Sequence, residues 1–168
     1  MYKSNRKEEE DQGFEQVIEI KRVTKVTKGG KNFRFNCIIA VGDKDGSVGI
    51  GMAKANEVIP AINKAKEIAK KNLFKVPIRN GTIPHKIIGK YAGSKVMLKP
   101  AAQGTSVIAG GPVRAIMEAA GIENILTKSF GSNTKHNIAK ATMSALKALR
   151  THEEVAKLRG KTVAEILE

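Results

Sequence analysis

The segment Phe33-Arg34-Phe35-Asn36-Cys37-Ile38-Ile39-Ala40-Val41 decides the fold of this chain. Every second side chain from Phe33 to Val41 is apolar, whereas Arg34 and Asn36 begin the opposite face. A period of two is typical of a β-strand that buries one face and leaves the other in water. We therefore expect a half-buried strand here, and the segments on either side are interpreted relative to it.

The flanking segments complete a small α+β unit. Residues 14–27 have extended character, and Lys28-Gly29-Gly30-Lys31 interrupts them as a turn. After the central strand, Asp43-Lys44-Asp45-Gly46 predicts a hairpin turn, and Ser47 to Gly51 predicts a short returning strand. Residues 54–73 then change to helical spacing. The first unit is therefore predicted to be three antiparallel strands followed by one helix.

A second unit of α/β type follows. Strands are predicted at residues 86–88, 95–99 and 125–130, and they alternate with two helices. The first of these helices begins near Pro112 and stops at Gly121, and the second contains Ile138 to Leu149. The predicted order is βαβα. Two further short helices are predicted from capping boxes, which pair Thr151 with Glu154 and Thr162 with Glu165.

The boundary between the two units is predicted where prolines and an Asn-Gly pair cluster. Val76-Pro77 through Ile83-Pro84 holds two prolines and Asn80-Gly81. We expect a mobile tail at 1–13, an N-terminal domain at 14–78, a C-terminal α/β domain at 83–150 and a C-terminal helical tail at 151–168.

Composition narrows the class of protein. The chain has 168 residues, of which 41% are apolar and 27% charged, so we expect a globular protein. No apolar run approaches the roughly 18 residues of a membrane span, and the N-terminus lacks the apolar segment of a signal peptide. Cys37 has no partner for an intrachain disulfide, which fits a reducing, cytoplasmic setting.

The charge points to a polyanionic partner. The formal net charge is +14, and between Ile68 and His152 only Glu118 and Glu123 oppose fourteen lysines and arginines. A domain this basic usually binds nucleic acid, because neutralising phosphates releases condensed counterions. The alternative is a protein that is basic without such a partner.

Motifs for catalysis, metals and cofactors are incomplete. Gly49-Ile50-Gly51 resembles the start of a dinucleotide fingerprint, but Lys54 stands where the third glycine belongs. The three histidines have no histidine or cysteine at ligand spacing. Cys37 lies on the apolar face of its strand and is interpreted as a core residue. We therefore predict no catalytic residue, no metal and no cofactor.

The first candidate site is the segment Lys21 to Lys31, which carries five basic side chains and a Gly-Gly pair. On a projecting hairpin it would bring cations and backbone amides to folded RNA. The alternative is an edge strand protected from aggregation by lysines; RNA contact is favoured because the glycines would serve no protective role. The predicted RNA-binding residues are Lys21, Arg22, Lys25, Lys28, Gly29, Gly30, Lys31, Arg34, Lys54 and Lys64.

The second candidate site is the glycine-rich stretch from Gly104 to Arg114. Glycines that lead into a helix N-terminus form an anion site, and Arg114 would lie in the first turn. Tight packing of a strand against a helix also requires glycine. The pattern does not decide between these two interpretations.

Several of these residues resemble the bacterial small-subunit ribosomal protein five family. The resemblance covers residues 14–168 in collinear order, with one departure: Ser106 stands where glycine is common, which argues against a left-handed backbone or a close approach of RNA there. The matching residues are Gly30-Lys31, Phe35, Val41-Gly42-Asp43, Gly46, Val48-Gly49, Gly51, Lys99-Pro100-Ala101-Ala102, Gly104-Thr105, Ile108-Ala109-Gly110-Gly111, Arg114, Lys128-Ser129-Phe130-Gly131-Ser132, Arg159-Gly160-Lys161 and Ile166-Leu167.

The resemblance implies a first domain related to the double-stranded-RNA-binding fold and a second, left-handed βαβ-type domain. It implies binding to small-subunit rRNA, contacts with ribosomal proteins four and eight, and a place near the mRNA entrance with an influence on decoding accuracy. The Lys21–Lys31 segment matches the region where changes confer spectinomycin resistance. Gly104 and Arg114 match positions that face protein four, and Thr105 is assigned to the same protein-partner region.

A phosphoryl-transfer enzyme is the main alternative from another class. The Gly104–Gly111 loop would hold the phosphates, since this type of α/β domain also occurs in some kinases. Phosphoryl transfer requires magnesium held by carboxylates, and only Glu118 and Glu123 are near in sequence. We therefore expect a protein without catalytic activity that works in the cytoplasmic ribosome.

Overall fold

A computed structural model describes residues 13–167 of the chain. None of the helices in that range combines the length and the apolarity that crossing a membrane requires. The predicted mobile tail at 1–13 lies outside the described residues except for Gly13. The elements in chain order are β1 (Phe14–Thr27), β2 (Gly30–Gly42), β3 (Ser47–Ala55), α1 (Val58–Lys71), β4 (Phe74–Lys75), β5 (Ile87–Tyr91), β6 (Ser94–Pro100), β7 (Val107–Ile108), α2 (Gly111–Ala120), β8 (Ile125–Gly131), α3 (Lys135–Lys147), α4 (His152–Arg159) and α5 (Ala164–Leu167).

The first sheet is antiparallel and has the order β1-β2-β3-β4. It confirms the predicted meander of three strands followed by α1, and adds the two-residue strand β4, which is too short to show a periodic pattern. Strand β3 continues to Ala55, four residues beyond the predicted end, and α1 begins at Val58 rather than at residue 54. Residues 54 and 55 belong to the strand and not to the helix because β3 stays paired with β2 up to Ala55.

Strand β2 is buried on both faces over residues 37–42, so the expectation of one covered face is wrong. Cys37, Ile39 and Val41 pack in one cluster with the alanines of α1. Ile38 and Ala40 point the opposite way and are only 2% and 0% exposed. Ala40 belongs to the larger core, which also contains side chains of β6, α2 and α3. The second unit therefore covers the face of β2 that the alternating sequence pattern predicted to be exposed to solvent.

Helix α1 lies unusually close to β3. A Cβ atom at Gly51 would come within 1.9 Å of the Ala65 carbonyl oxygen, and one at Gly49 within 2.4 Å of the Ala69 oxygen. The helix presents Ala61, Ala65 and Ala69 to the sheet, and all three are fully buried. The glycines that resemble a dinucleotide fingerprint thus permit close packing of a helix on a sheet.

The second sheet has the order β5-β6-β8-β7. β5, β6 and β8 pair antiparallel, whereas β7 pairs parallel to β8 because α2 connects them as a crossover. The predicted α/β unit is confirmed. The capping box of Thr151 and Glu154 is present at the start of α4. At α5, Thr162 N donates to Glu165 Oε2 at 3.3 Å.

The turn between β2 and β3 joins the two units. Lys44 N donates to the Ala119 carbonyl at 3.1 Å, and Gly46 N donates to the Ala120 carbonyl at 2.9 Å. These bonds satisfy carbonyls at the C-terminal end of α2, which the helix itself leaves without partners.

Asp43 holds this turn in shape. Its Oδ1 accepts hydrogen bonds of 2.8 Å from the backbone amides of Asp45 and Ser47. Burial alone would raise the pKa of Asp43, but hydrogen bonds from the Ser47 side chain and from these amides lower it below the usual value. The turn is therefore built around an ionised carboxylate.

Gly121 ends α2 with φ of 80°, and a Cβ atom there would lie 2.0 Å from the Lys44 carbonyl oxygen. We expect Gly121→Ala to lower the free energy of unfolding by about 3 to 4 kcal/mol, because left-handed strain and a backbone clash add. Thermal or denaturant unfolding measures this loss.

Gly160→Ala is the matched control. Gly160 also has a left-handed backbone, with φ of 62°, but a Cβ atom there would meet nothing within 4 Å. We expect only the conformational cost of about 1 to 2 kcal/mol. Equal losses in the two variants would contradict a tight contact between the turn and α2.

Candidate nucleic-acid interface

Strands β1 and β2 extend beyond the core as the predicted hairpin. Thr27 pairs with Gly30 across a turn formed by Lys28 and Gly29, and the Thr27 hydroxyl donates to the Gly30 carbonyl at 3.2 Å. Within residues 20–34, Val23 is half-buried and all the other residues are exposed. The paired backbone therefore carries the basic side chains away from the body of the protein.

The pairing register places four cations on one face of the sheet. Lys21 pairs with Asn36, Val23 with Arg34, and Lys25 with Asn32. Asn36 pairs in turn with Lys54. Directly opposite residues point to the same side, so Lys21, Lys25, Arg34 and Lys54 share a face. The adjacent pair of Cys37 and Ala53 points to α1, which places this basic face on the side away from that helix.

A concave groove of about 830 Å³ lies along the hairpin and the end of β3. We call it the basic groove. It brings together four of the predicted residues, Lys25, Lys31, Arg34 and Lys54, and its lining includes Asn32 and Asn56. The two asparagines were missed from the sequence. The sequence pattern did not single them out, because Asn32 reaches the groove through its pairing with Lys25, which only the structure shows.

The other predicted RNA-binding residues lie outside the groove lining. Arg22 stacks on the Phe33 ring, with its guanidinium carbon 3.7 Å from the ring centroid. Lys28 and Gly29 form the hairpin tip. Lys64 is exposed on α1, across the sheet from the basic face. The structure therefore does not unite Lys64 with the hairpin, because α1 packs on the opposite face.

The cations of the groove have no acidic partner among residues 13–167. The two ion pairs in that range join Lys66 to Glu15 and Lys135 to Glu19. Lys25, Lys31, Arg34 and Lys54 thus have no carboxylate within 4.0 Å. Their full charge is available to an anionic partner.

The glycine-rich stretch before α2 is open rather than packed. A Cβ atom at Gly104, Gly110 or Gly111 would meet nothing within 4 Å, so tight packing is wrong as the explanation of these three glycines. The residue that precedes α2 is Gly110, so no side chain accepts a hydrogen bond from the backbone amides of the first helical turn. Thr105 Oγ1 donates to the Ala102 carbonyl at 2.7 Å, and Arg114 donates to the Val107 carbonyl at 3.2 Å.

Ser106 adopts a left-handed backbone with φ of 65°. The expectation that a serine at this position excludes a left-handed backbone is therefore wrong. Two hydrogen bonds hold the peptide in place. Ser106 N donates to Asn124 Oδ1 at 3.1 Å, and Ile125 N donates to the Ser106 carbonyl at 3.2 Å. Asn124 is buried, and it fixes the loop against the start of β8.

Comparison with known proteins agrees with both halves of this architecture. The family model described as "Ribosomal protein S5, N-terminal domain" matches residues 14–77. The model described as "Ribosomal protein S5, C-terminal domain" matches residues 89–159. The chain belongs to the ribosomal protein S5 family. The family consists of ribosomal proteins rather than enzymes, so the phosphoryl-transfer alternative is wrong.

Two relatives show the extent of the similarity. A protein of Syntrophobacter fumaroxidans named "Small ribosomal subunit protein uS5" is 56% identical over 153 residues, which cover 91% of this chain and 92% of that protein. A protein of the same name from Thermotoga maritima is 57% identical over 152 residues, covering 90% of this chain and 85% of that protein.

The Ser106 loop allows a test of backbone strain near the protein-partner region. We expect Ser106→Val to lower the free energy of unfolding by about 1 to 2 kcal/mol, because a β-branched residue fits a left-handed backbone poorly. Ser106→Gly is the control and should not be less stable than the parent protein. Ser106 is exposed, so lost packing does not complicate the comparison of unfolding curves. Equal stability of the valine and glycine variants would contradict the left-handed conformation.

Proposed function

We propose that this chain is a structural constituent of the small ribosomal subunit that binds rRNA through the basic groove and the hairpin tip. The observation that carries the proposal is the unopposed charge of the groove, where Lys25, Lys31, Arg34 and Lys54 converge. Membership in the S5 family supports the ribosomal setting, in the cytoplasm.

The groove suits a folded phosphate backbone. Its lysines and Arg34 offer charge to phosphates, and Arg34 can donate two parallel hydrogen bonds. The amides of Asn32 and Asn56 can both donate and accept hydrogen bonds, which suits ribose 2′-hydroxyls. At the tip, the exposed Lys28-Gly29-Gly30 turn presents a cation and backbone amides.

Aggregation control is the second candidate function of the hairpin lysines. It is favoured by one observation, because β1 is an outer strand of its sheet and exposes Val17, Ile20 and Val26. Protection of the β1 edge does not account for Arg34 and Lys54, which lie on β2 and β3. RNA binding accounts for all the cations of the basic face.

We further propose a location near the mRNA entrance, with an influence on translational accuracy, contact with mRNA, and neighbours in ribosomal proteins four and eight. The exposed positions of Gly104 and Arg114, with Thr105 half-buried between them in the same loop region, support a protein contact there. The division of the chain at 14–78 and 83–150 is part of the same proposal, as is the link of the Lys21–Lys31 segment to spectinomycin resistance.

Replacement of groove cations tests the rRNA contact. We expect the double variant Lys25→Gln/Lys54→Gln to bind small-subunit rRNA about tenfold more weakly at physiological salt. The slope of log affinity against log salt should fall by about 0.7 to 0.9 for each lost phosphate contact. Filter binding across a salt series measures both quantities.

The matched control is Lys70→Gln/Lys71→Gln, which removes two exposed lysines from the last turn of α1. We expect its salt slope to match that of the parent protein. Both double variants should unfold within about 0.5 kcal/mol of the parent, because exposed substitutions seldom change stability more. If the groove variant binds rRNA with the parental slope, the lysines protect the sheet edge and do not contact RNA.

A further inference from the structure

A second concavity lies where the two units meet. It has a volume of about 680 Å³, within the range of about 300 to 1,000 Å³ that is usual for ligand pockets. We call it the interdomain cleft. Strand β4 pairs only with Ser47 and Val48 of β3. In the described part of the chain, the rest of β3 therefore has no strand on this side, and the cleft runs along that open edge between α1 and α3.

The cleft has an apolar floor and an aromatic rim. Ile50, Met52 and Met143 line the floor, and Met52 is 38% exposed. Tyr91 is 39% exposed at the rim, where it meets His136 edge to face at a centroid distance of 6.2 Å. Burial, together with the charge of Lys140, lowers the pKa of His136, so its imidazole is neutral at pH 7. The rim thus presents two uncharged rings beside an apolar surface.

Two lysines of α3 line the same cleft. Lys140 donates to the Tyr91 hydroxyl at 3.0 Å, and Lys147 lies 5.1 Å from the Phe74 ring centroid. They are seven positions apart, which places them on one helix face about 10 Å apart along the axis. Neither forms an ion pair within the described residues. Both lysines can therefore offer positive charge to the phosphates of a nucleic-acid strand.

The cleft continues the basic face of the sheet. Met52 lies two residues from Lys54 on the same face of β3, and Ile38 lies two residues from Asn36 on β2. A strand that follows the basic groove past Lys54 would therefore reach the cleft. Glu19, which lies opposite Ile38 on this face, is paired with Lys135.

We propose that the interdomain cleft receives an unpaired base of the rRNA, with the flanking phosphates on Lys140 and Lys147. The proposal rests on the rRNA-binding function and adds a specific contact to it. Single-stranded bases are commonly recognised by stacking on exposed rings with cations at the backbone. The competing occupant is a peptide added to the β3 edge. The positive rim and the continuity with the basic groove favour RNA.

The decisive variant is Ser144→Trp, which fills the cleft from an exposed position on α3 and changes no charge. We expect it to weaken rRNA binding about tenfold, since loss of one stacked base has about that effect. Its salt slope should equal that of the parent protein. Lys140→Gln/Lys147→Gln should instead lower the slope by about 0.7 per lysine, the value for single strands.

Lys157→Gln, at an exposed position of α4, is the control for the loss of a lysine and should keep the parental affinity and slope. Circular dichroism melts check that every variant folds. Suppose that Lys25→Gln/Lys54→Gln weakens rRNA binding, whereas Ser144→Trp and Lys140→Gln/Lys147→Gln bind like the parent protein. The cleft proposal is then wrong and the groove proposal is supported. If the parent protein itself shows no salt-dependent rRNA binding, the groove proposal and the cleft proposal are both wrong.

The occupant can be identified directly. A benzophenone side chain introduced at Ser144 and irradiated in reconstituted small subunits should crosslink to a single rRNA region. A crosslink confined to a ribosomal protein would overturn the proposal in favour of a peptide at the β3 edge. The absence of any crosslink, together with parental affinity of Ser144→Trp, would leave the cleft without a ligand and overturn it as well.

Discussion

The contact between the β2–β3 turn and the C-terminal end of α2 is the constraint on which the rest of the structure depends. Two amides of the turn satisfy the Ala119 and Ala120 carbonyls. A Cβ atom at Gly42 would lie 2.0 Å from the Ala119 oxygen, so the two backbones are almost in contact. Such an approach leaves little freedom for one unit to rotate against the other. The two sheets therefore behave as one framework, although they are separate in sequence.

This framework sets the position of both candidate RNA-binding surfaces. Strand β2 is anchored on two faces at residues 37–42, yet its other end extends into the exposed hairpin. The cations of the hairpin are thus held by a backbone whose root is completely buried. The interdomain cleft depends on the same contact, because its walls come from different units and its volume would change if they moved. Pre-organisation of this kind limits the entropy lost on binding.

Local patterns predicted the elements well but not their arrangement. The alternation of residues 33–41 and the helical spacing after residue 54 are short-range signals, and both led to the correct element type. The second buried face of β2 was visible only as the continuous apolar run Cys37 to Val41, which also fits a strand buried on both sides. The basic groove could not be predicted in full, since it depends on the registers that pair Lys25 with Asn32 and Lys54 with Asn36.

The acidic side chains explain why the positive surface is so concentrated. Glu15 and Glu19 lie on β1, close to the core, and they pair with Lys66 of α1 and Lys135 of α3. The acids of the strand are thus used to connect both helices to the sheet at its buried end. Beyond Glu19, β1 carries no further acid, and β2 carries none along its whole length. Neutralisation therefore occurs at the buried end of the first sheet, and the remaining positive charge lies where a polyanion can reach it.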